Sequence, residues 1–238
     1  VCVNDAPFQL SQAAEMGGLN GVGVYTGPGV GPTYLFNPAN AGAGIHNILY
    51  TFTAANGCVS TSNQSIEVWP KPNVNAGPDL TVLEDGVRKI TGVTSSGNGL
   101  QFLWTPSTYL DDATLQFPTI LQPKDDITYT LTVTNDQGCS ETDELYVKIL
   151  KSPRPPNTFT PNGDGINDFW EIQFLNDYPG AVIEVYNTAG TLLFRSIGYG
   201  TPWDGKWKGQ PVPAGTYYYV LDPKNGRKRI AGYVTILR

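Results

Sequence analysis

The sequence predicts an all-β protein of tandem β-sandwiches, and three observations support this. Short segments alternate apolar and polar residues with a period of two: in Thr128–Val133, Tyr129, Leu131 and Val133 alternate with threonines. Turn formers are abundant, with 27 glycines and 19 prolines in 238 residues, so the chain reverses often and holds little helix. One segment also recurs. Tyr50–Trp69 (YTFTAANGCVSTSNQSIEVW) matches Tyr129–Ile149 (YTLTVTNDQGCSETDELYVKI). Each copy is a strand, a Gly-Cys turn and a second strand. A period of about 80 residues fits tandem sandwiches, not a solenoid of short repeats.

Three modules follow in order: residues 1–70, 71–150 and 151–238. The boundaries are Trp69-Pro70-Lys71-Pro72 and Lys151-Ser152-Pro153-Arg154-Pro155-Pro156. Proline fixes φ and lacks a donor, so both stretches read as semi-rigid linkers. In the third module the expected strands are Trp170–Phe174, Ala181–Tyr186, Thr191–Ser196, Thr216–Leu221 and Ile230–Leu237. Asn187–Gly190 and Lys224-Asn225-Gly226 are hairpin turns, because Asn and Gly accept positive φ. Ile183, Val185, Leu192, Phe194, Tyr217 and Tyr219 are the expected inward core.

The formal net charge of −6 argues against a nucleic-acid partner. Charge is uneven along the chain. Residues 1–150 carry 5 basic and 14 acidic side chains, whereas residues 151–238 carry 10 and 7. No apolar run reaches the roughly 18–20 residues that span a bilayer, so the chain is not expected to be transmembrane. It starts at Val1, not Met, and reads as an excised fragment or processed product. The lack of a signal peptide then says nothing against secretion.

Three cysteines cannot all pair within one chain. Cys2 and Cys58 lie in the first and penultimate strands of one module, and a disulfide between them is expected. Cys139 occupies the same turn as Cys58 in a module with no second cysteine. It reads as a half-buried free thiol or as half of an intermolecular bridge.

Pro156–Trp170 (PNTFTPNGDGINDFW) packs Asn157, Asn162, Asp164, Asn167 and Asp168 around Gly163 and Gly165. A calcium-loop pattern can be laid on it with Gly165 at position six. Asn162, Asp164, Asp168 and Glu171 then fall on positions three, five, nine and twelve, and Asp204 is a further candidate ligand. Thr160 stands at position one, where an Asp belongs. The competing reading is a set of Asn and Asp side chains capping turns through their own backbone.

Catalytic signals are sparse. His46 is the only histidine and reads as a strand residue. There is no GxSxG, HExxH or phosphate loop. Asp111-Asp112 and Asp125-Asp126 read as solvated turn charge. Trp104 belongs in a core strand. Trp203 and Trp207 either form an exposed sugar-stacking strip or pack against Tyr217–Tyr219. Lys224, Arg227, Lys228 and Arg229 make a basic hairpin tip.

The third module has a distinctive order of motifs: the Asn/Asp loop, then YNTAG (Tyr186–Gly190), WDGKWKG (Trp203–Gly209), PAGTYYYVL (Pro213–Leu221) and GYVTILR (Gly232–Arg238). That order resembles the gliding-motility-associated C-terminal domain, the type B sorting domain of type IX secretion in Bacteroidetes. Asn187-Thr188-Ala189-Gly190 stands where the family often has Asn-Arg-Trp-Gly. CVNDAPFQL and FNPANAGAGIHNILYTFT in the first module resemble immunoglobulin-like repeats of Bacteroidetes surface proteins. NAGPDLTV, FLWTPSTYL and TYTLTVTNDQGC in the second resemble a PKD-type repeat.

The resemblance implies a sorting signal on a large gliding adhesin. Export would run through the periplasm and the type IX translocon to the cell surface. An outer-membrane β-barrel of the PorP/SprF type is the implied partner. The basic tip and the last strand (Gly232, Tyr233, Val234, Thr235, Ile236, Leu237 and Arg238) are the candidate contacts, by a docked loop or by strand addition. The competing expectation is a carbohydrate-binding adhesin module.

Overall fold

The computed structural model describes residues 1–11, 13 and 17–238. They fall into two compact units. The first holds Val1–Leu80, Val87–Gln122 and Asp126–Lys148, and the second holds Thr81–Gly86, Pro123–Asp125 and Ile149–Arg238. The fold is all-β, built from packed sheets.

The chain's first sheet is antiparallel and three-stranded. Strands β1 (Gly21–Thr26), β2 (Gly44–Ala54) and β3 (Val59–Val68) lie in that order. Its buried core is small, with Phe36, Ile48 and Val68 packed by the partly buried Phe8, Tyr25 and Ile66. A four-residue helix, Pro38–Ala41, sits beside it. Its N-cap Asn37 accepts a hydrogen bond from the Ala39 N–H at 3.0 Å.

The second sheet uses β4 (Leu80–Leu83), β5 (Gln101–Thr105), β6 (Ile127–Thr134) and β7 (Ser140–Leu150), in the order β5-β6-β7-β4. In β6 the buried positions are Tyr129, Leu131 and Val133, the apolar set with period two. Trp104 is fully buried and meets Tyr129 edge-on, with ring centroids 6.3 Å apart. Both aromatics keep their polar ends satisfied. The Trp104 indole donates to the Leu115 carbonyl at 3.0 Å, and the Tyr129 hydroxyl donates to the Thr108 carbonyl at 2.7 Å. Burial pushes the Tyr129 phenol up to about 12.

The disulfide differs from the expected one. Cys2 bonds Cys139, with Cα atoms 5.5 Å apart, and Cys58 is free and exposed. The reason lies in where the first strand runs. Cys2 bridges in parallel to Trp69 at the end of β3, where Val3 N–H donates to the Trp69 carbonyl at 2.9 Å. That places Cys2 beside the Asn135–Cys139 turn and away from the turn that carries Cys58. Asn4 confirms the placement by donating from Nδ2 to the Ser140 carbonyl at 2.9 Å. Cys139 is therefore neither a free thiol nor half of an intermolecular bridge.

The second unit is built on β8 (Thr158–Phe159), β9 (Val182–Tyr186), β10 (Leu192–Ile197), β11 (Gly215–Asp222) and β12 (Ile230–Ile236). Their order is β8-β12-β11-β9-β10. Only β8 runs parallel to its neighbour. One face buries Phe159, Ile183, Val185, Tyr217, Tyr219, Leu221, Val234 and Ile236. Gly232 lies opposite Tyr219, and a Cβ there would sit 2.7 Å from the Tyr219 hydroxyl oxygen. The ring thus lies over the one strand position that lacks a side chain.

Two expectations fail here. Leu192 is 41% exposed, because the register shifts between Val185 and Tyr186 and sets Leu192 opposite Tyr186 on the outer face. Trp170–Phe174 is not a strand. Trp170 forms a single bridge to Trp203, and Phe174, at φ 62°, turns the chain into the 3₁₀ turn Leu175–Asp177. The layer covering the sheet is made of such short pieces, with Trp170, Ile172, Leu175, Tyr178, Tyr199, Trp203 and Val212 all buried in the same core.

The proline-rich segment before β8 is anchored within this unit. The Trp170 indole donates to the Pro156 carbonyl and the Tyr178 hydroxyl to the Lys151 carbonyl, each at 2.7 Å. Arg154 N–H donates to the Gln173 carbonyl at 3.0 Å. Arg227 Nη2 donates to the Leu150 carbonyl at 2.6 Å.

Non-reducing peptide mapping is expected to recover Cys2 joined to Cys139 and Cys58 open to alkylation. Cys139→Ser is expected to lower the stability of the first unit by about 2–5 kcal/mol, read by denaturant melting.

Candidate functional site

The Asn/Asp loop is a nested set of side-chain-capped turns. Asp164 N–H donates to Asn162 Oδ1 at 3.0 Å, and Ile166 N–H donates to Asp164 Oδ1 at 2.7 Å. Asp168 closes the loop from below, its Oδ1 accepting from Gly163 N–H at 2.7 Å and its Oδ2 from Gly165 N–H at 2.8 Å. Gly163 and Gly165 have φ of 83° and 86°, which glycine adopts without a steric penalty. Those two amide bonds hold the Asp168 carboxyl below the usual carboxylate range. Thr160 Oγ1 donates to the Ile166 carbonyl at 3.2 Å.

This donor set does not fit calcium as arranged. A calcium ion needs six to eight oxygens turned toward one point. Here both Asp168 oxygens face amide hydrogens, and Asn162 Nδ2 donates to Asp164 Oδ2 at 2.9 Å. Among the described residues no three His, Cys, Asp or Glu side chains, Glu171 and Asp204 among them, gather as metal ligands. Asp204 instead accepts from Lys206 Nζ at 2.7 Å across its own turn.

Three of the four basic side chains of the tip are paired, two of them within the hairpin. Asp222 pairs with both Lys224 and Arg229 at 2.9 Å, and these bonds, Lys224 first, hold its carboxyl low. Arg227 is half-buried, and its Nε donates to the Tyr178 hydroxyl at 3.0 Å. Lys228 is exposed.

The last strand is part of the core and also borders an opening. Val234 and Ile236 are fully buried, whereas Tyr233 is 53% exposed. β8 flanks β12 only at Thr235 and Ile236. Thr235 N–H donates outward to the Asn157 carbonyl at 2.8 Å, and Leu237 N–H to that of Phe159 at 3.2 Å. By the strand pleat, the Tyr233 and Ala231 amides point the same way, alongside a stretch that β8 does not reach. Leu237 and Arg238 lie exposed beyond the strand. On the outer face the register aligns Tyr233, Tyr218 and Tyr186 across three strands. Periodicity alone cannot reveal that row, because it depends on the cross-strand register.

Trp203 is buried and packs edge-on against Tyr217, with centroids 5.6 Å apart. Trp207 is 39% exposed, with the Lys208 ammonium 4.7 Å above its ring. The two tryptophans therefore form no exposed strip. His46 is half-buried in β2 and donates from Nε2 to the Gly42 carbonyl at 2.7 Å. The Asp111 and Asp112 carboxyls accept loop hydrogen bonds, chiefly from Thr119 and Thr114 respectively, which lower both. Asp125 pairs with Lys151, and Asp126 accepts from the Tyr146 hydroxyl at 2.8 Å. The Asn187–Gly190 turn is capped by Asn187 Oδ1, which accepts from Ala189 and Thr191 N–H at 3.0 and 2.8 Å.

Residues 154–236 match the family described as the CHU_C type IX secretion signal domain. The C-terminal module belongs to that family. A domain of this kind serves as a sorting signal for the type IX machinery and directs export to the cell surface, a non-enzymatic role. No curated protein sequence matches the chain. Among solved structures, DIP-gamma IG1+IG2 matches with 10% identity and a TM-score of 0.41, over 70% of this chain and 97% of that one. The human Desmocollin-1 ectodomain matches with 12% identity and a TM-score of 0.35, over 99% of this chain and 59% of that one. Scores this low do not establish a shared fold. No helix among the described residues is long and apolar enough to cross a membrane.

Asp168 makes the signal domain's acid stability testable. Its folded pKa lies below the unfolded value near 3.9, so its contribution is present above that value. It is lost as pH falls through the folded pKa. In melts between about pH 7 and pH 2, Asp168→Asn is expected to melt lower than the parent at neutral pH and to show a shallower acid slope. Adding calcium or a chelator is expected to leave the parent's melting temperature unchanged.

Proposed function

We propose that the folded signal domain is read as a surface, with the open edge of β12 at its centre. The reader proposed for that surface is an outer-membrane β-barrel of the PorP/SprF type, acting with the type IX translocon. The supporting observation is that β12 has two roles at once. Its Val234 and Ile236 side chains complete the core, while among the described residues no outward backbone hydrogen bond is made by Ala231 or Tyr233, where β8 stops short. A strand from the receptor added there gains main-chain hydrogen bonds without disturbing the fold. Tyr233 and Tyr218 flank the edge with exposed rings, the residue type that anchors interfaces. Lys228 at the hairpin tip supplies a positive charge nearby in sequence.

This reading places the chain at the outer membrane as part of a surface adhesin. The tandem β-modules and a disulfide formed in an oxidising compartment are consistent with that location. The carbohydrate reading has less support, since its tryptophan platform is interrupted by the buried Trp203.

Deleting Gly232–Arg238 does not isolate recognition from folding, because it also removes Val234 and Ile236 from the core. Ala231→Pro does isolate it. Proline removes the outward amide, and edge strands tolerate proline. In a gliding host, the full chain with Ala231→Pro is expected to keep its melting temperature and accumulate in the periplasm. Normal surface display of that folded variant would refute the edge as the recognition element.

A further inference from the structure

Cys58 and Cys139 sit in the same turn but have different surroundings. The two turns share their backbone hydrogen bonds, and in each an asparagine caps the cysteine N–H, from two residues before Cys58 and from four before Cys139. Ala54 N–H donates to the Cys58 carbonyl and Asn135 N–H to the Cys139 carbonyl, each at 2.9 Å. Gly57 N–H returns to the Ala54 carbonyl at 2.9 Å, and Gly138 N–H to the Asn135 carbonyl at 3.1 Å. The glycines have φ of 89° and 79°. An asparagine Oδ1 accepts from each cysteine's N–H, Asn56 at 3.0 Å and Asn135 at 2.9 Å.

Cys139 is 1% exposed because the strand carrying Cys2 lies against it, whereas Cys58 is exposed. The bonded pair thus follows a rule of position. The first-strand cysteine of one module enters the Gly-Cys turn of the module that follows it. At Cys58 the receiving half exists without its donor. A second feature marks the same place. A groove of about 370 Å³ runs past Cys58, lined by the apolar Leu19, Phe52 and Val59 and by the polar Tyr50, Ser60 and Ser62, and Val59 is 62% exposed. The apolar part of that groove suits the valines of a short strand such as Val1-Cys2-Val3.

We propose that Cys58 is the receiving half of an inter-module disulfide, and that its partner is the first-strand cysteine of another module of this kind placed N-terminal to it. Each thiol loses one proton and one electron as the S–S bond forms. The two electrons reduce the disulfide of an oxidised dithiol protein, which leaves as two thiols.

Two experiments on the full chain test this. In the first, a peptide of residues 1–10 carrying Cys2 as its thiopyridine mixed disulfide is offered to the intact protein. Cys58 attacks the peptide sulfur and thiopyridone leaves. Seating of the valines that flank Cys2 in the apolar part of the groove predicts capture about tenfold faster than for a scrambled peptide. Equal rates would overturn the proposal. In the second, residues 1–72 are duplicated ahead of Val1. Non-reducing peptide mapping is expected to find Cys2 of the added copy joined to the original Cys58, with the original Cys2–Cys139 bond reporting a correct fold. If that bond is present, Cys58 remaining free, or joining Cys58 of another molecule, would overturn it.

Discussion

The second unit depends on the requirement that a buried aromatic donor find an acceptor. Six large aromatics enter its core with a polar atom attached, and for five of them that atom ends on a backbone carbonyl of a loop or short strand of the covering layer. Trp170 reaches Pro156, Trp203 reaches Lys206, Tyr178 reaches Lys151, Tyr199 reaches Trp170 and Tyr217 reaches Pro213. An unpaired buried donor costs about 1–3 kcal/mol, so each segment is held where its carbonyl is needed. A layer with almost no regular strands thereby becomes as determinate as the sheet it covers. Burial pushes the Tyr199 phenol well above its ordinary range, which keeps that hydroxyl a donor at any physiological pH.

Much of this was legible from residue patterns. The β class, the hairpin repeats and β9, β11 and β12 follow from alternation with period two, since that alternation is the same physical fact as a half-buried strand. The capped turns of the Asn/Asp loop were legible as one of two readings, because Asn162 and Asp164 each reach two residues ahead. The features that were missed depend on tertiary position. Leu192 changes face through one extra residue in a bulge. Trp170–Phe174 alternates like a strand, yet its indole is needed elsewhere. The Cys2–Cys139 bond is not legible in the sequence, because Cys2 lies near Cys58 in chain order but beside the Asn135–Cys139 turn in space.

The same distinction applies to charge. Lys224, Arg227 and Arg229 read as a basic tip, but two share Asp222 and the third turns inward to hold Leu150 and Tyr178. A run of like charges in sequence became an internal fastening once its acidic and carbonyl partners arrived from other elements. The outward character of the module passes instead to a row of tyrosines and a bare strand edge.

The position of β12 has a consequence for biosynthesis. It lies between β8, from the start of the module, and β11, and it supplies Val234 and Ile236 to the core. The module therefore cannot close until Ile230–Ile236 has left the ribosome. A chain cut short by premature termination or proteolysis bears no finished label. On the reading proposed above, completion of this strand is a condition of export.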